Sequence, residues 1–149
     1  MSNLIIVTVE GQARLQKIAD SLAKGIDTQA ILDEGAAVIY NRVRTRFIQA
    51  LAPDGTPWPV SHAAELRATG KSRCKGGLTL YASGRLWRGL QLGIESENTR
   101  AISDDVPYGI FHQRGTKKLP RRIFLGFAEI DNLFMQKLVV RRLTQMFEV

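Results

Sequence analysis

The sequence predicts an α+β fold, with two N-terminal helices and a C-terminal helix packed on a small antiparallel sheet. Three observations predict it. Apolar residues recur at helical spacing over residues 12–24, 28–50 and 129–147. Apolar and polar residues alternate from Leu90 to Glu95, ahead of turn chemistry at Glu97-Asn98. A β-branched run at residues 4–10 supplies a further strand. At 149 residues the chain fits one domain, residues 1–149, large enough to bury a core without a metal or disulfide staple.

Taken in order, residues 4–10 are apolar on both faces, with Leu4 and Ile6 on one and Ile5, Val7 and Val9 on the other. Such a strand needs cover on both sides, from its own domain or from a neighbour. Leu15, Ile18, Ala19, Leu22 and Ile26 then mark a helix that Gly25 closes. Asp27 is placed to cap the next helix by accepting its first free N–H groups. That helix, about Thr28 to Ala50, carries the stripe Leu32, Ala36, Ile39, Val43, Phe47, Ala50.

Between residues 51 and 77 regular patterning fails, which predicts a long loop. Pro53-Asp54-Gly55-Thr56-Pro57 is turn chemistry, and Trp58 follows it as a large ring in polar surroundings. Gly55 and Trp58 are therefore expected in a docking loop. Leu80–Trp87 reads as a short helical or turn-rich element, and Leu90, Leu92 and Ile94 as the buried face of a strand. A second strand near 100–103 completes a hairpin. Pro107–Gly115 predicts a short helix, and Thr116–Arg122 a basic loop.

The last helix, about Glu129 to Phe147, is apolar nearly all round, with Phe134, Val139 and Phe147 among the residues that spread over its circumference. A helix of that kind is covered on more than one side. Together with the two-faced strand, it predicts self-assembly through Ile5, Val7, Phe134, Val139 and Phe147.

Composition excludes several classes. One cysteine, Cys74, rules out an intrachain disulfide and a cysteine-rich metal site, and His62 and His112 are the only histidines. No cofactor or metal is expected. No apolar run approaches the ~18 residues of a membrane span, so a soluble protein made in a cytoplasm is predicted, with no membrane partner.

Charge is more informative. Of 21 basic side chains, 12 lie in residues 61–122 with only five acidic ones, while the flanking stretches are balanced. The whole excess of +7 sits in that stretch. It is either a footprint for a polyanion or acidic partner, or a set of solvated basic loops.

No catalytic motif is present. Asp33 and Glu34 point about 100° apart on a helix, as adjacent residues do, and so do not converge on one site. Asp104-Asp105 could bind a cation in a turn but reads rather as a solvated acidic turn. Ser83 has no recognisable base beside it. Cys74 sits among Lys71, Arg73 and Lys75, which would lower its pKa, yet a lone thiol makes no enzyme. The sequence predicts a protein that is not an enzyme.

What does stand out is a series of packing and turn residues: Gly55–Trp58, Leu80-x-x-x-Gly84-x-Leu86, Tyr108-Gly109-x-x-His112-Gln113-x-Gly115, and Pro120-Arg121-Arg122-x-Phe124-Leu125-Gly126. Their order resembles the phage virion morphogenesis (tail completion) family of Mu-like and related tailed bacteriophages, over about residues 28–135. His112-Gln113-x-Gly115 followed by Arg122-x-Phe124-Leu125-Gly126 is the most specific part. Leu80-Tyr81-Ala82-Ser83-Gly84 departs from the more usual Leu-x-x-Thr-Gly, and the resemblance leaves the role of the long apolar C-terminal helix open.

The resemblance implies a structural virion protein at the head–tail junction or the tail's upper end. It implies a ring-forming homo-oligomer, commonly hexameric, with neighbouring neck and tail proteins as partners and genomic DNA passing through the lumen. Lys117, Lys118, Arg121 and Arg122 would then face passing phosphates without reading sequence, or pair with acidic groups of a neighbouring ring. A free, non-specific DNA-binding protein is the alternative that the basic charge supports.

Overall fold

A computed structural model describes residues 27–73 and 76–147. The strand expected over residues 4–10 with Ile5 and Val7, the helix expected over 12–24, Cys74 and the Phe147 side chain lie outside the described residues. Those described form an α+β unit with five helices and one two-stranded sheet. Helix α1 (Thr28–Gln49) is the spine, packed against the hairpin β1 (Leu90–Ser96) and β2 (Thr99–Asp104) and against the last helix, α5 (Glu129–Phe147). Between them lie α2 (His62–Ala68), α3 (Arg85–Arg88) and α4 (Gly109–Arg114).

α1 starts as expected, with the Asp27 carboxylate accepting from the Ala30 N–H at 2.9 Å. Its buried line is Ile31, Gly35, Ile39, Val43 and Phe47. The expected stripe is therefore correct at Ile39, Val43 and Phe47, one residue too long at Ala50, the half-buried C-cap, and one residue late before Ile39, where Leu32 and Ala36 are only half-buried. Gly35 is the reason. A side chain there would collide with the end of the Met135 side chain, so the bare backbone leaves room for α5. A hydrophobicity pattern gives glycine no weight.

The region 51–77 is not one loop. Ala52 and Thr56 close a tight turn, Leu51 bridges Pro57, and the Trp58 N–H donates to the Ala50 carbonyl at 2.7 Å. α2 follows, capped by the Ser61 hydroxyl accepting from the Ala64 N–H at 3.2 Å. Seven residues are too few to show a helical period, although Ala, Glu, Leu and Arg favour the state. Arg67 of α2 is buried and donates to the carbonyls of Gly76 (3.0 Å) and Leu78 (2.7 Å), which ties down the far end of this region.

The hairpin has the predicted strands, in antiparallel register from Leu90 opposite Asp104 to Ser96 opposite Thr99. Its predicted buried face is wrong beyond the first residue. Exposure climbs from 3% at Leu90 to 38% at Leu92 and 74% at Ile94. Only the root of the hairpin reaches the core, where the Tyr40 hydroxyl donates to the Leu90 carbonyl at 2.9 Å. α5 differs from expectation as well. Leu138 is buried and Phe134, Met135 and Val139 are half-buried against the body, whereas Ile130, Leu133 and Val140 are exposed.

The core gathers around the C-terminal half of α1. Phe47 meets Trp58 edge to face at 5.3 Å and Phe124 at 5.7 Å, and Val43, Leu86, Leu90 and Leu125 close around them.

Candidate interaction surface

Residues 108–126 divide into a buried half that builds and an exposed half that projects from it. α4 begins at Gly109, whose lack of a side chain admits Leu86 and Phe124, and ends at Gly115 (φ 75°). A Cβ on Gly115 would press on the Arg121 backbone, so glycine lets the chain turn out and return beside itself. The returning segment, 121–126, is clamped by the last turns of α4 and α1. Gln113 donates through Nε2 to the Leu125 carbonyl at 2.6 Å, and its Oε1 accepts from the N–H groups of Phe124 (3.0 Å) and Leu125 (3.1 Å). One side-chain amide thus satisfies three backbone groups of an extended segment that has no partner strand.

Two residues expected at the surface belong to this clamp. Trp58, predicted in a docking loop, is buried, and its indole N–H donates to the Ile123 carbonyl at 2.9 Å. The tight turn at Gly55 returns the ring to the core, leaving Gly55 itself exposed. Arg122, predicted to face DNA or a partner, is also buried. Its backbone N–H donates to the His112 carbonyl and its Nε to the Pro59 carbonyl, both at 2.8 Å. Burial lowers the Arg122 pKa. Burial, then the nearby Arg122 charge, holds the His112 imidazole below its usual value, so it is neutral at neutral pH.

α5 is anchored to the same place. Asp131, wholly buried, accepts from Arg42 (3.1 Å), Arg46 (2.9 Å) and the Ala128 N–H (2.9 Å), while Arg46 also donates to the Gly126 carbonyl at 2.8 Å. Its reach back to Ala128 is half of a capping box, with Asp in the third helical position.

The exposed half projects from this frame. Thr116 and Leu119 exchange backbone hydrogen bonds, and the Thr116 hydroxyl accepts from the N–H groups of Lys118 (3.2 Å) and Leu119 (3.0 Å). That tight turn holds Lys117 and Lys118 at its apex, flanked by Arg114 and Arg121, all exposed. Among the described residues none of these four cations is ion-paired. Tyr108, Phe111 and Leu119 stand exposed among them. Tyr108 was legible as a motif residue but not as part of an exposed surface, and Arg114 and Phe111 were not singled out for one. The available signal was the stretch from Val106 to Ala128, which has no acidic residue.

Other candidates resolve differently. The Ser83 hydroxyl accepts from the Arg85 N–H at 3.3 Å, a turn role. Asp104 is buried, with Oδ1 accepting from the Val106 N–H at 2.9 Å and Oδ2 unpartnered, and burial pushes its pKa up to about 6. Among the described residues no group of three His, Cys, Asp or Glu side chains could hold a metal, and no helix is long and apolar enough to cross a membrane.

Comparison with known proteins adds one finding. The model of the phage virion morphogenesis family matches residues 9–144. Searches of curated proteins and of solved structures found no match.

Proposed function

The chain belongs to the phage virion morphogenesis family, and on that premise we propose that it is a tail-completion or neck subunit joining the tail to the capsid. In this reading it is a structural, non-enzymatic protein that works in the virion. Copies form a ring, six in number by the resemblance, seated against neighbouring neck and tail proteins, with genomic DNA passing through the opening.

The observation that carries the reading is the family match over nearly the whole chain. The structure supports it in a specific way. Gln113, Arg122, Phe124 and Leu125 are committed to backbone hydrogen bonds and core packing. Such residues brace a frame, and what the frame presents is a charged and apolar surface suited to docking.

Phage lacking this protein test the reading. The expected lysate holds DNA-filled heads and finished tails that are not joined, and adding the purified chain restores infectious particles. Joined, infectious particles without the protein would sink the proposal, as would a lysate that lacks heads or tails altogether.

A further inference from the structure

The two ends of α1 carry surfaces of opposite kind. Its first turns hold the hairpin tip: Gln29 donates to the Glu97 carbonyl at 2.7 Å, and Arg100 pairs with Asp33 at 2.5 Å. Its last turns hold the 113–126 clamp, through Arg46 to Gly126 and Phe47 to Phe124. A 22-residue helix at ~1.5 Å per residue puts these ends about 33 Å apart. The tip end exposes Ile94 and Leu92 beside the carboxylates of Glu95 and Glu97, while Asp33 occupies Arg100 and its neighbour Glu34 occupies Arg141 and Arg142. The clamp end exposes Phe111 and Leu119 beside Arg114, Lys117 and Lys118.

We infer that the hairpin tip of one copy docks against the 114–121 turn of the next. Ile94 meets Leu119 and Phe111, and Glu95 and Glu97 face Lys117 and Lys118. The inference rests on the ring reading and names the contact that would close it. Each patch repels itself and complements the other in charge and in apolar character, so association is head to tail. Head-to-tail contacts are the kind that close into rings or run on as filaments. A DNA phosphate backbone would match the lysines, but it offers nothing to the exposed aliphatic Leu119. A second copy satisfies both features of the turn.

Disulfide tethering of full-length chains in a Cys74→Ser background tests the contact. A chain carrying Ile94→Cys is mixed with one carrying Leu119→Cys, and the mixed disulfide is followed by mass under a glutathione buffer. The expected rate is at least tenfold above that of Ile94→Cys with Val60→Cys, a control at another exposed site. Adding Lys117→Glu and Lys118→Glu to the second chain removes the preference. Adding Glu95→Lys and Glu97→Lys to the first restores it.

A rate no higher than the control overturns the contact, and so does a preference indifferent to charge reversal. If the lysine reversals abolish salt-sensitive retention on DNA without changing tethering, the turn is a phosphate surface and the inference falls. The ring reading fails separately, through joined particles in the lysate that lacks the protein.

Discussion

The two ends of α1 hold their surroundings by different means. At the C-terminal end, Arg46, an indole and a side-chain amide satisfy the backbone of a segment that belongs to no sheet, and a buried carboxylate holds Arg46 in place. At the N-terminal end, the hairpin tip is held by Gln29 and by the ion pair of Arg100 with Asp33, whose carboxylate is more than half exposed. Low dielectric makes each buried polar contact costly to break, whereas water compensates losses at a surface. The C-terminal end should therefore carry the stability. The tip should tolerate change and remain available for contacts with other molecules.

The largest effect is expected at Asp131. Asp131→Ala leaves Arg42 and Arg46 facing each other without their anion, and removing one partner of a buried pair costs about 3–5 kcal/mol. Thermal unfolding should show the midpoint falling by on the order of 10 °C for a chain of this size. An unchanged midpoint would remove the basis of the contrast. Trp58→Ala should follow closely, at about 3 kcal/mol or more, because it empties the space against Phe47 and strands the Ile123 carbonyl. Trp58→Phe keeps one aromatic ring against Phe47 but loses the hydrogen bond and part of the indole's volume, so it should cost less than Trp58→Ala, about 1–3 kcal/mol. Equal losses for the two substitutions would show that the indole N–H, rather than the packing, dominates.

How far this division could be read from the sequence depends on what each residue is asked to do. The stripe from Ile39 to Phe47 and the bounds of the hairpin and α5 were legible, because periodicity reports a buried face directly. Trp58 was misplaced since Pro53 to Pro57 resembles a solvent loop, yet that turn is what folds the ring inward. Arg122 was misplaced for a related reason. A cation is buried only where acceptors wait for it, and for Arg122 the Pro59 carbonyl comes from 63 residues away. Leu92 and Ile94 alternate as a half-buried strand should, but alternation names a face without saying what covers it. The motif 112–126 was recognisable as a unit. Its internal logic, one glutamine clamping three backbone groups, was not.

A smaller effect separates the root of the hairpin from its tip. Asp104 lies at the root, and burial raises its pKa to about 6, with the Asp105 charge adding to the rise. The folded state then binds a proton more tightly than the unfolded chain, whose Asp titrates near 4. Stability from this group is present below pH 4 and is lost as pH rises through 6, by at most about 3 kcal/mol. Asp104→Asn keeps an acceptor for the Val106 N–H and removes the charge. It should raise the unfolding midpoint at pH 7 and flatten its decline between pH 4 and 6. His112 works the other way: its lowered pKa favours the folded state above pH 6.5 and costs stability as pH falls below that. If Asp104→Asn leaves the slope unaltered, the hairpin root is wetter than its burial implies.

The smallest effect is expected at the tip, and it is the sharpest measure of the contrast. Asp33→Asn removes the partner of Arg100 while leaving that guanidinium its bonds to Gln29 and to nearby carbonyls. The Arg100 side chain is buried but the Asp33 carboxylate is open to water, so the loss should be smaller than at the wholly buried Asp131 and the midpoint shift correspondingly smaller. Salt decides what kind of pair it is. Because the Asp33 carboxylate is open to water, raising the salt should shrink even that small difference. A loss as large as that of Asp131→Ala, or one that persists in high salt, would mean that the tip is braced as firmly as the clamp. The hairpin would then be part of the frame and no surface for a second copy to engage.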